Sequence, residues 1–153
     1  MKIAPQLHAA QWFNTAEPLT LEALRGRVVV LHAFQMLCPG CVRSGIPQAQ
    51  RIAELFSPND VAVIGIHTVF EHHDAMKPVS LAAFIAEYRI AFPVAVDQPS
   101  PDGAIPLTMA AYGMKGTPTL VLIDRAGRIR RQAFGAEDDL RVGADIGGLL
   151  AET

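Results

Sequence analysis

Two cysteines, the only ones in this chain of 153 residues, stand three positions apart in the segment Cys38-Pro39-Gly40-Cys41. A disulfide between them would close a very small loop, so the pair cannot serve as a structural staple. A thiol reacts as its thiolate, and the unpaired N–H groups of a helix's first turn favour that charged form. The pair therefore predicts redox chemistry, with two metal ligands or two incidental buried thiols as alternatives.

The position of the pair along the chain supports the redox interpretation. A β-branched run over residues 28–34 predicts a buried strand, and the cysteines follow it where a helix is predicted to begin. Cys38 then lies at the start of the helix, and Cys41 on the same side of the first turn can attack a mixed disulfide formed at Cys38. Pro39 suits this turn because its missing N–H costs nothing there, and Gly40 leaves the backbone uncrowded beside the sulfurs.

A metal site is the weaker interpretation of the cysteines and of the nearby histidines. Structural zinc usually takes four Cys or His ligands, and the chain has no second C-x-x-C segment. His67 and the run Glu71-His72-His73-Asp74 could supply ligands, but a solvated loop is the favoured interpretation. We therefore expect no metal and no cofactor other than the redox-active disulfide Cys38–Cys41.

Strand-like and helix-like segments alternate along the chain, which predicts an α/β fold with a central, mostly parallel sheet and helices on both faces. A final hairpin adds an antiparallel edge and makes the sheet mixed. The segment before Gly26 is expected to be irregular, Ser80 to cap a helix, and Pro47 to kink one. The predicted strands cover 28–34, 61–66, 92–96, 119–123 and 128–134, and the helices 42–56, 81–88, 106–112 and 138 to the end. One domain over residues 1–153 accounts for all of them.

The amino-acid composition limits the classes of partner that the chain is expected to bind. With 18% charged residues and a formal net charge of -2, the chain offers no electrostatic basis for binding nucleic acid or an anionic membrane surface. No uninterrupted apolar run is long enough to span a bilayer, and the first residues do not read as a secretory signal. We expect a cytoplasmic monomer; a trimmed leader would instead place it in the periplasm.

Three segments together resemble the thioredoxin superfamily, and within it the TlpA-like and redoxin branch: residues 28–41, 116–119 and 122–127. The resemblance implies a thioredoxin-like fold with an extra helical insertion, and a thiol-disulfide oxidoreductase with an upstream electron donor and protein or small-molecule disulfide substrates. It makes Cys38 the attacking thiol, Cys41 the resolving thiol and Pro118 a cis-proline against the disulfide. Thr117 would offer backbone hydrogen bonds to a substrate, which Leu37, Pro39 and Gly40 would also contact.

The chain departs from the pattern of this family at three positions. Leu37 stands where members usually have Trp before the first cysteine, and His32 stands where thioredoxins carry a buried acid. His32 could relay the proton that activates Cys41, although a satisfied core histidine explains it equally well. Pro47 comes six residues after Cys41 rather than five, which predicts an extra residue or bulge in the helix.

Two other functions remain as alternatives. A peroxiredoxin-like thiol peroxidase would have Thr or Ser three residues before the reactive cysteine, where this chain has Gln35, and would have a proline further upstream. A metal carrier of this fold usually spaces its cysteines by three residues rather than two. Thiol-disulfide oxidoreductase is therefore the predicted function.

Overall fold

A computed structural model describes residues 2–152 and shows six strands and four α-helices. The strands are β1 (Ala9–Phe13), β2 (Val28–Phe34), β3 (Val61–His67), β4 (Val94–Asp97), β5 (Thr119–Ile123) and β6 (Ile129–Phe134). The helices are α1 (Ile46–Leu55), α2 (Pro78–Glu87), α3 (Leu107–Tyr112) and α4 (Asp139–Ala151). A π-helical turn at Cys41–Gly45 precedes α1, and a 3₁₀ turn at His73–Ala75 precedes α2.

The six strands form one mixed sheet in the order β1-β4-β3-β2-β5-β6. Strands β2, β3 and β4 are parallel, and the remaining pairings are antiparallel. The α/β, thioredoxin-like fold and the mixed sheet are confirmed. The expectation of a mostly parallel sheet is wrong, because β5 already runs antiparallel to β2 before the hairpin begins.

Helices pack on both faces of this sheet, as predicted. Buried side chains of α1, α2 and α4 share one core with alternate residues of β2, including Val30 and Phe34. The opposite alternation of β2, including Leu31, packs with α3 and with Leu21 and Leu24 of the segment before β2. Strand β2 is buried over its whole length, so both of its faces contribute to holding the turn that carries the cysteines.

The predicted helix bulge is present. Cys41–Gly45 forms a π-helical turn, closed by a hydrogen bond from the Ile46 N–H to the Cys41 carbonyl. Pro47 then falls in the first turn of α1, where a proline needs no donor. The extra residue between Cys41 and Pro47 is therefore absorbed by the π turn, and Pro47 starts a regular helix instead of kinking one.

Two local expectations were wrong. The segment before Gly26 is not entirely irregular, because β1 pairs with β4 at the edge of the sheet. Ser80 does not cap α2, which begins two residues earlier at Pro78 with Lys77 in the capping position. Among residues 2–152, no helix is both long and apolar enough to cross a membrane.

Candidate active site

Cys38 occupies the capping position of a helical run that begins at Pro39. The first backbone bond of the run joins the Val42 N–H to the Cys38 carbonyl at 3.1 Å. The Cys41 N–H points to Cys38 Sγ at 3.3 Å, so the sulfur takes the place that a Ser or Asp oxygen fills at an ordinary helix start. A thiolate at this atom gains a hydrogen bond and the positive end of the helix dipole.

The two thiols differ in exposure. Cys38 is partly exposed, whereas Cys41 is fully buried. Burial, together with the hydrogen bond to the Cys38 side chain, raises the pKa of Cys41 to about 12. The arrangement presents one sulfur to a partner and keeps the other as a neutral thiol behind it, as expected for an attacking and a resolving cysteine.

The segment 116–118 closes over the cysteines from β5. The Thr117–Pro118 peptide bond is cis, as the resemblance implied. The Cys38 thiol donates to the Thr117 carbonyl at 3.5 Å, and a Cβ on Gly40 would lie 3.3 Å from Pro118 Cδ. The structure thus brings together Cys38, Cys41, Gly40, Thr117 and Pro118, and Gly40 is the residue that lets the helix start approach the proline.

Gln35 joins the segments around the cysteine turn, a role that the sequence did not reveal. Its buried amide donates to Thr117 Oγ1 at 3.4 Å and accepts from the Phe70 N–H at 3.2 Å. The backbone carbonyl of Gln35 accepts a hydrogen bond from the Cys38 N–H at 3.2 Å. Gln35 therefore ties the turn, the cis-proline segment and the chain after β3 to one another.

His32 occupies a space that Gly45 leaves beside the cis-proline. It is fully buried, and its ring stacks on Phe34 at 5.9 Å. A Cβ on Gly45 would overlap the ring, at 2.7 Å from Nε2, and would lie 3.1 Å from Pro118 Cβ. Within residues 2–152, Nε2 has no hydrogen-bond partner, and burial lowers the pKa of His32 to about 4. His32 is therefore not a core histidine whose polar atoms are all hydrogen-bonded within residues 2–152, because Nε2 is unpartnered.

The histidines considered as metal ligands are separated by the fold. His67 is buried at the end of β3, where its Nε2 accepts the Met36 N–H at 3.1 Å. Residues 71–75 form an exposed segment, as a solvated loop would. In the part of the chain described here, residues 2–152, no three His, Cys, Asp or Glu side chains gather as a metal site.

Apolar side chains flank the cysteine pair on the surface. Leu37, directly before Cys38, is 58% exposed. Phe134 is also 58% exposed, and its ring lies so close to Gly116 that a Cβ there would be 3.0 Å away. The next residue, Gly135, donates its N–H to the Pro118 carbonyl at 2.8 Å. Leu37 and Phe134, here called the apolar flanks, thus border the site on its cysteine side and on its cis-proline side.

Residues 4–145 match the Redoxin family. The chain belongs to this family. A thioredoxin-like superfamily protein of known crystal structure is 59% identical, with a TM-score of 0.98 and coverage of 100% of this chain and 99% of that one. A thiol-disulfide isomerase from Corynebacterium glutamicum is 52% identical, with a TM-score of 0.94 and coverage of 98% of each chain.

Protein DipZ of Mycobacterium bovis is 31% identical over 129 residues, which cover 83% of this chain. The Redoxin-family chain spans only 17% of the length of DipZ. Membership of the Redoxin family, together with the thioredoxin-like neighbours, confirms thiol-disulfide oxidoreduction at a cysteine pair as the predicted class of chemistry.

Proposed function

We propose that this chain, acting on its own, catalyses thiol-disulfide exchange with Cys38 as the attacking thiol and Cys41 as the resolving thiol. The observation that carries the proposal is the asymmetry of the pair. Cys38 is partly exposed and has a backbone donor at its sulfur, whereas Cys41 is buried, which raises the pKa of its thiol. We therefore infer that Cys38, rather than Cys41, meets the substrate disulfide.

The reaction has two balanced exchange steps. Cys38 thiolate attacks one sulfur of the substrate disulfide, which forms a mixed disulfide and releases the first substrate thiolate. Cys41 then loses its proton and attacks Cys38 Sγ, which closes the Cys38–Cys41 disulfide and expels the second thiolate. The substrate gains two electrons and the dithiol loses two. The Cys41 proton ends on one released thiolate, and the other thiolate takes up from water the equivalent of the proton that Cys38 lost when it ionised.

Equilibration in glutathione buffers, followed by thiol trapping, tests this function. We expect one reversible two-electron transition of the Cys38–Cys41 pair, and no such transition in the Cys41→Ser control. A potential near about -270 mV would make the protein a reductant, and one near about -120 mV an oxidant. If the pair never closes and peroxide instead converts Cys38 to sulfenic acid, the proposal fails in favour of a peroxidase.

In the second step His32 accepts the proton of Cys41. The neutral ring keeps an unpartnered lone pair at Nε2, and Gly45, at the end of the π turn that begins with Cys41, makes room for it. A buried thiol with a pKa of about 12 does not ionise by itself at neutral pH, and burial holds the pKa of His32 near 4, so the ring takes the proton only as Cys41 attacks Cys38 Sγ. His32→Leu should slow closure of the disulfide by roughly 10²-fold or more and change its pH dependence, while mixed-disulfide formation at Cys38 stays unchanged. An unchanged pH profile for closure would contradict this role.

Polypeptide disulfides are the proposed substrates, because the apolar flanks extend the contact surface beyond the sulfurs. Thr117 adds a backbone edge, and Pro39 and Gly40 form the adjoining surface at the helix start. Leu37→Ser and Phe134→Ser should raise KM for a disulfide-bonded polypeptide without changing the rate with glutathione disulfide. Leu140→Ser is the matched control, since Leu140 is 82% exposed on α4. Equal losses with both substrates would contradict the proposal.

The remaining proposals concern the setting of the reaction. We infer a monomer that receives electrons from an upstream dithiol donor in the cytoplasm and works without any cofactor besides its own disulfide. The exposed apolar flanks and the modest net charge of -2 support a partner recognised by shape and apolar contact. Sedimentation of the purified protein tests the monomer, and an oxidant-range potential would contradict the cytoplasmic reducing role.

A further inference from the structure

His67 connects strand β3 to the turn that carries Cys38. Its Nε2 accepts the N–H of Met36, two residues before Cys38, at 3.1 Å in a fully buried contact. Its ring also packs on Phe34, the last residue of β2, with centroids 5.1 Å apart. The contact bridges 31 positions of sequence and belongs to neither the predicted cysteine chemistry nor the proton transfer at His32.

The chemistry of this contact fixes the state of the ring. A backbone N–H only donates, so Nε2 must carry a lone pair, and the neutral ring holds its proton on Nδ1. A protonated ring has donors at both nitrogens and no acceptor. Protonation would therefore set two donors against each other in a buried place, and the Met36 N–H would lose its partner.

We propose that His67 is a positioning residue for Cys38: as a neutral acceptor it holds the Met36 segment, and protonation releases that segment and reversibly inactivates the site. The proposal rests on the proposed exchange function for its catalytic consequence only. Its structural part, an acid-sensitive latch between β3 and the cysteine turn, stands on the hydrogen bond and the burial.

Two further hydrogen bonds show why this latch would affect the position of Cys38 Sγ. The Thr68 N–H donates to the Phe34 carbonyl at 3.1 Å, and the Phe70 N–H donates to Gln35 at 3.2 Å. Together with the His67 bond, these tie the end of β2 and the first two residues of the cysteine turn to the end of β3 and the chain that follows it. The histidine is the member of the set whose bonding changes with pH. Loss of its bond frees the segment directly before Cys38, and displacements of about 1 Å can cost roughly 10²-fold in rate.

His67 is the group whose protonation breaks the Met36 bond, and His32, whose pKa burial also lowers to about 4, titrates in the same range without touching that bond. On the same face, His32 lies beyond the Phe34 ring, and Cys41 shares the core. Helix α2 covers this face, and its charged residues are exposed, as are those of the segment after β3: Lys77, Glu87, Glu71, His72, His73 and Asp74. Asp97, at the end of β4, is held by the Thr108 and Met109 N–H groups. Burial alone lowers the pKa of His67, to about 4.

Amide NMR of the oxidised protein tests the latch without thiol titration, with the Cys38→Ser/Cys41→Ser variant replacing it if no disulfide forms. The Met36 amide should shift and lose its protection from exchange with a midpoint near pH 4, as the His67 ring signals titrate. His67→Gln offers a neutral oxygen at nearly the position of Nε2 and should abolish this transition while keeping the amide protected. The exposed His73→Gln is the matched control and should titrate like the wild type.

The rate of alkylation then tests whether the latch affects the reactivity of Cys38. At neutral pH, His67→Leu should slow alkylation of Cys38 by roughly 10- to 100-fold, and His67→Gln should restore it to within about threefold of the wild-type rate. If His67→Leu does not fold, the amide titration of the wild type and His67→Gln decides. An identical Met36 transition in His67→Gln, or none in the wild type while His67 becomes protonated, would overturn the proposal. Because the titration involves no turnover, failed disulfide exchange would count only against the proposed function.

Discussion

The two ends of strand β2 differ in the charge of the polar side chains around them. At its carboxyl end the polar side chains around the sulfurs are neutral: His32, Gln35, His67 and Thr117. Gln35 and His67 are held by hydrogen bonds, whereas Nε2 of His32 has no partner among residues 2–152. At its amino end the β5–β6 turn is held by charge. The buried Asp124 accepts from the side chains of Arg128 at 2.9 Å and Arg130 at 3.3 Å.

This difference means that burial and nearby backbone groups, rather than charged side chains, act on the protonation at the sulfur end. At the hairpin end, burial would raise the pKa of Asp124, but hydrogen bonds from the Arg128 backbone and from the Arg130 and Arg128 side chains outweigh burial and lower it. Over residues 2–152 no ion pair lies beside the sulfurs. Burial raises the pKa of the Cys41 thiol instead, and a backbone N–H points to Cys38 Sγ. Changes at the carboxyl end of β2, beside the sulfurs, should therefore affect the chemistry of disulfide exchange. Changes at its amino end, beside the β5–β6 turn, should affect stability alone.

Acid should weaken the sulfur end most. Burial lowers the pKa of both His32 and His67 from 6.5 to about 4, so the folded state binds fewer protons than the unfolded state. Their contribution to stability is complete above pH 6.5 and is lost as the pH falls toward 4, by roughly 3 kcal/mol for each histidine. Urea unfolding across this range measures it. His32→Leu should remove about half of the pH dependence, and an unchanged slope would contradict the assignment.

Gly45→Ala should be the next largest effect, because the added methyl overlaps the His32 ring and lies 3.1 Å from Pro118 Cβ. Overpacking of this kind costs about 1–3 kcal/mol, and disulfide closure should slow as well. Thermal unfolding and single-turnover kinetics measure the two losses. The double variant Gly45→Ala/His32→Ala should recover stability, whereas strictly additive losses would show that the two residues do not compete for space.

Asp124→Asn tests the hairpin end. It weakens charge-assisted hydrogen bonds to Arg128 and Arg130 and should cost about 2 kcal/mol of unfolding free energy. The rate of disulfide exchange should not change, because the turn lies at the far end of β2 from Cys38. The wild-type contribution of Asp124 should fade as the pH drops below about 4, since its folded pKa lies under the usual value. A changed exchange rate in a folded variant would break the comparison.

Arg51→Ala should have the smallest effect. Arg51 and Asp139 form a 2.9 Å ion pair between α1 and α4, but both side chains are more than half exposed. Solvent screening keeps such pairs below about 1 kcal/mol. Denaturant unfolding at low and high salt should show a small difference that disappears with salt. A loss as large as that of Asp124→Asn would mean that exposure does not separate the two ion pairs.

Sequence patterns predicted the elements that local chemistry determines. The β-branched runs at Val28–Phe34 and Thr119–Ile123 define β2 and β5 at the bounds predicted. The spacing of Pro47 from Cys41 predicted the bulge that appears as the π turn Cys41–Gly45. Such signals lie within a few residues of the structure they describe, so they can be interpreted without knowing the fold.

The features that were missed depend on distant contacts. Strand β1 exists because it pairs with β4, more than eighty residues away, and its half-buried residues give no clear alternation. His67 was assigned to a loop because its role as acceptor for the Met36 N–H depends on the parallel register of β2 and β3. Gly45 similarly shows its purpose only once His32 is seen beside it.

The most direct test of the account is to locate the mixed disulfide. Reduced Cys41→Ser and Cys38→Ser variants would each react with a disulfide-bonded polypeptide, be acid-quenched and be mapped by mass spectrometry. We predict that Cys41→Ser accumulates a stable adduct at Cys38, and that Cys38→Ser reacts at least about 10²-fold more slowly because burial raises the pKa of Cys41. Comparable adducts at Cys41 would contradict the division of roles on which the mechanism rests.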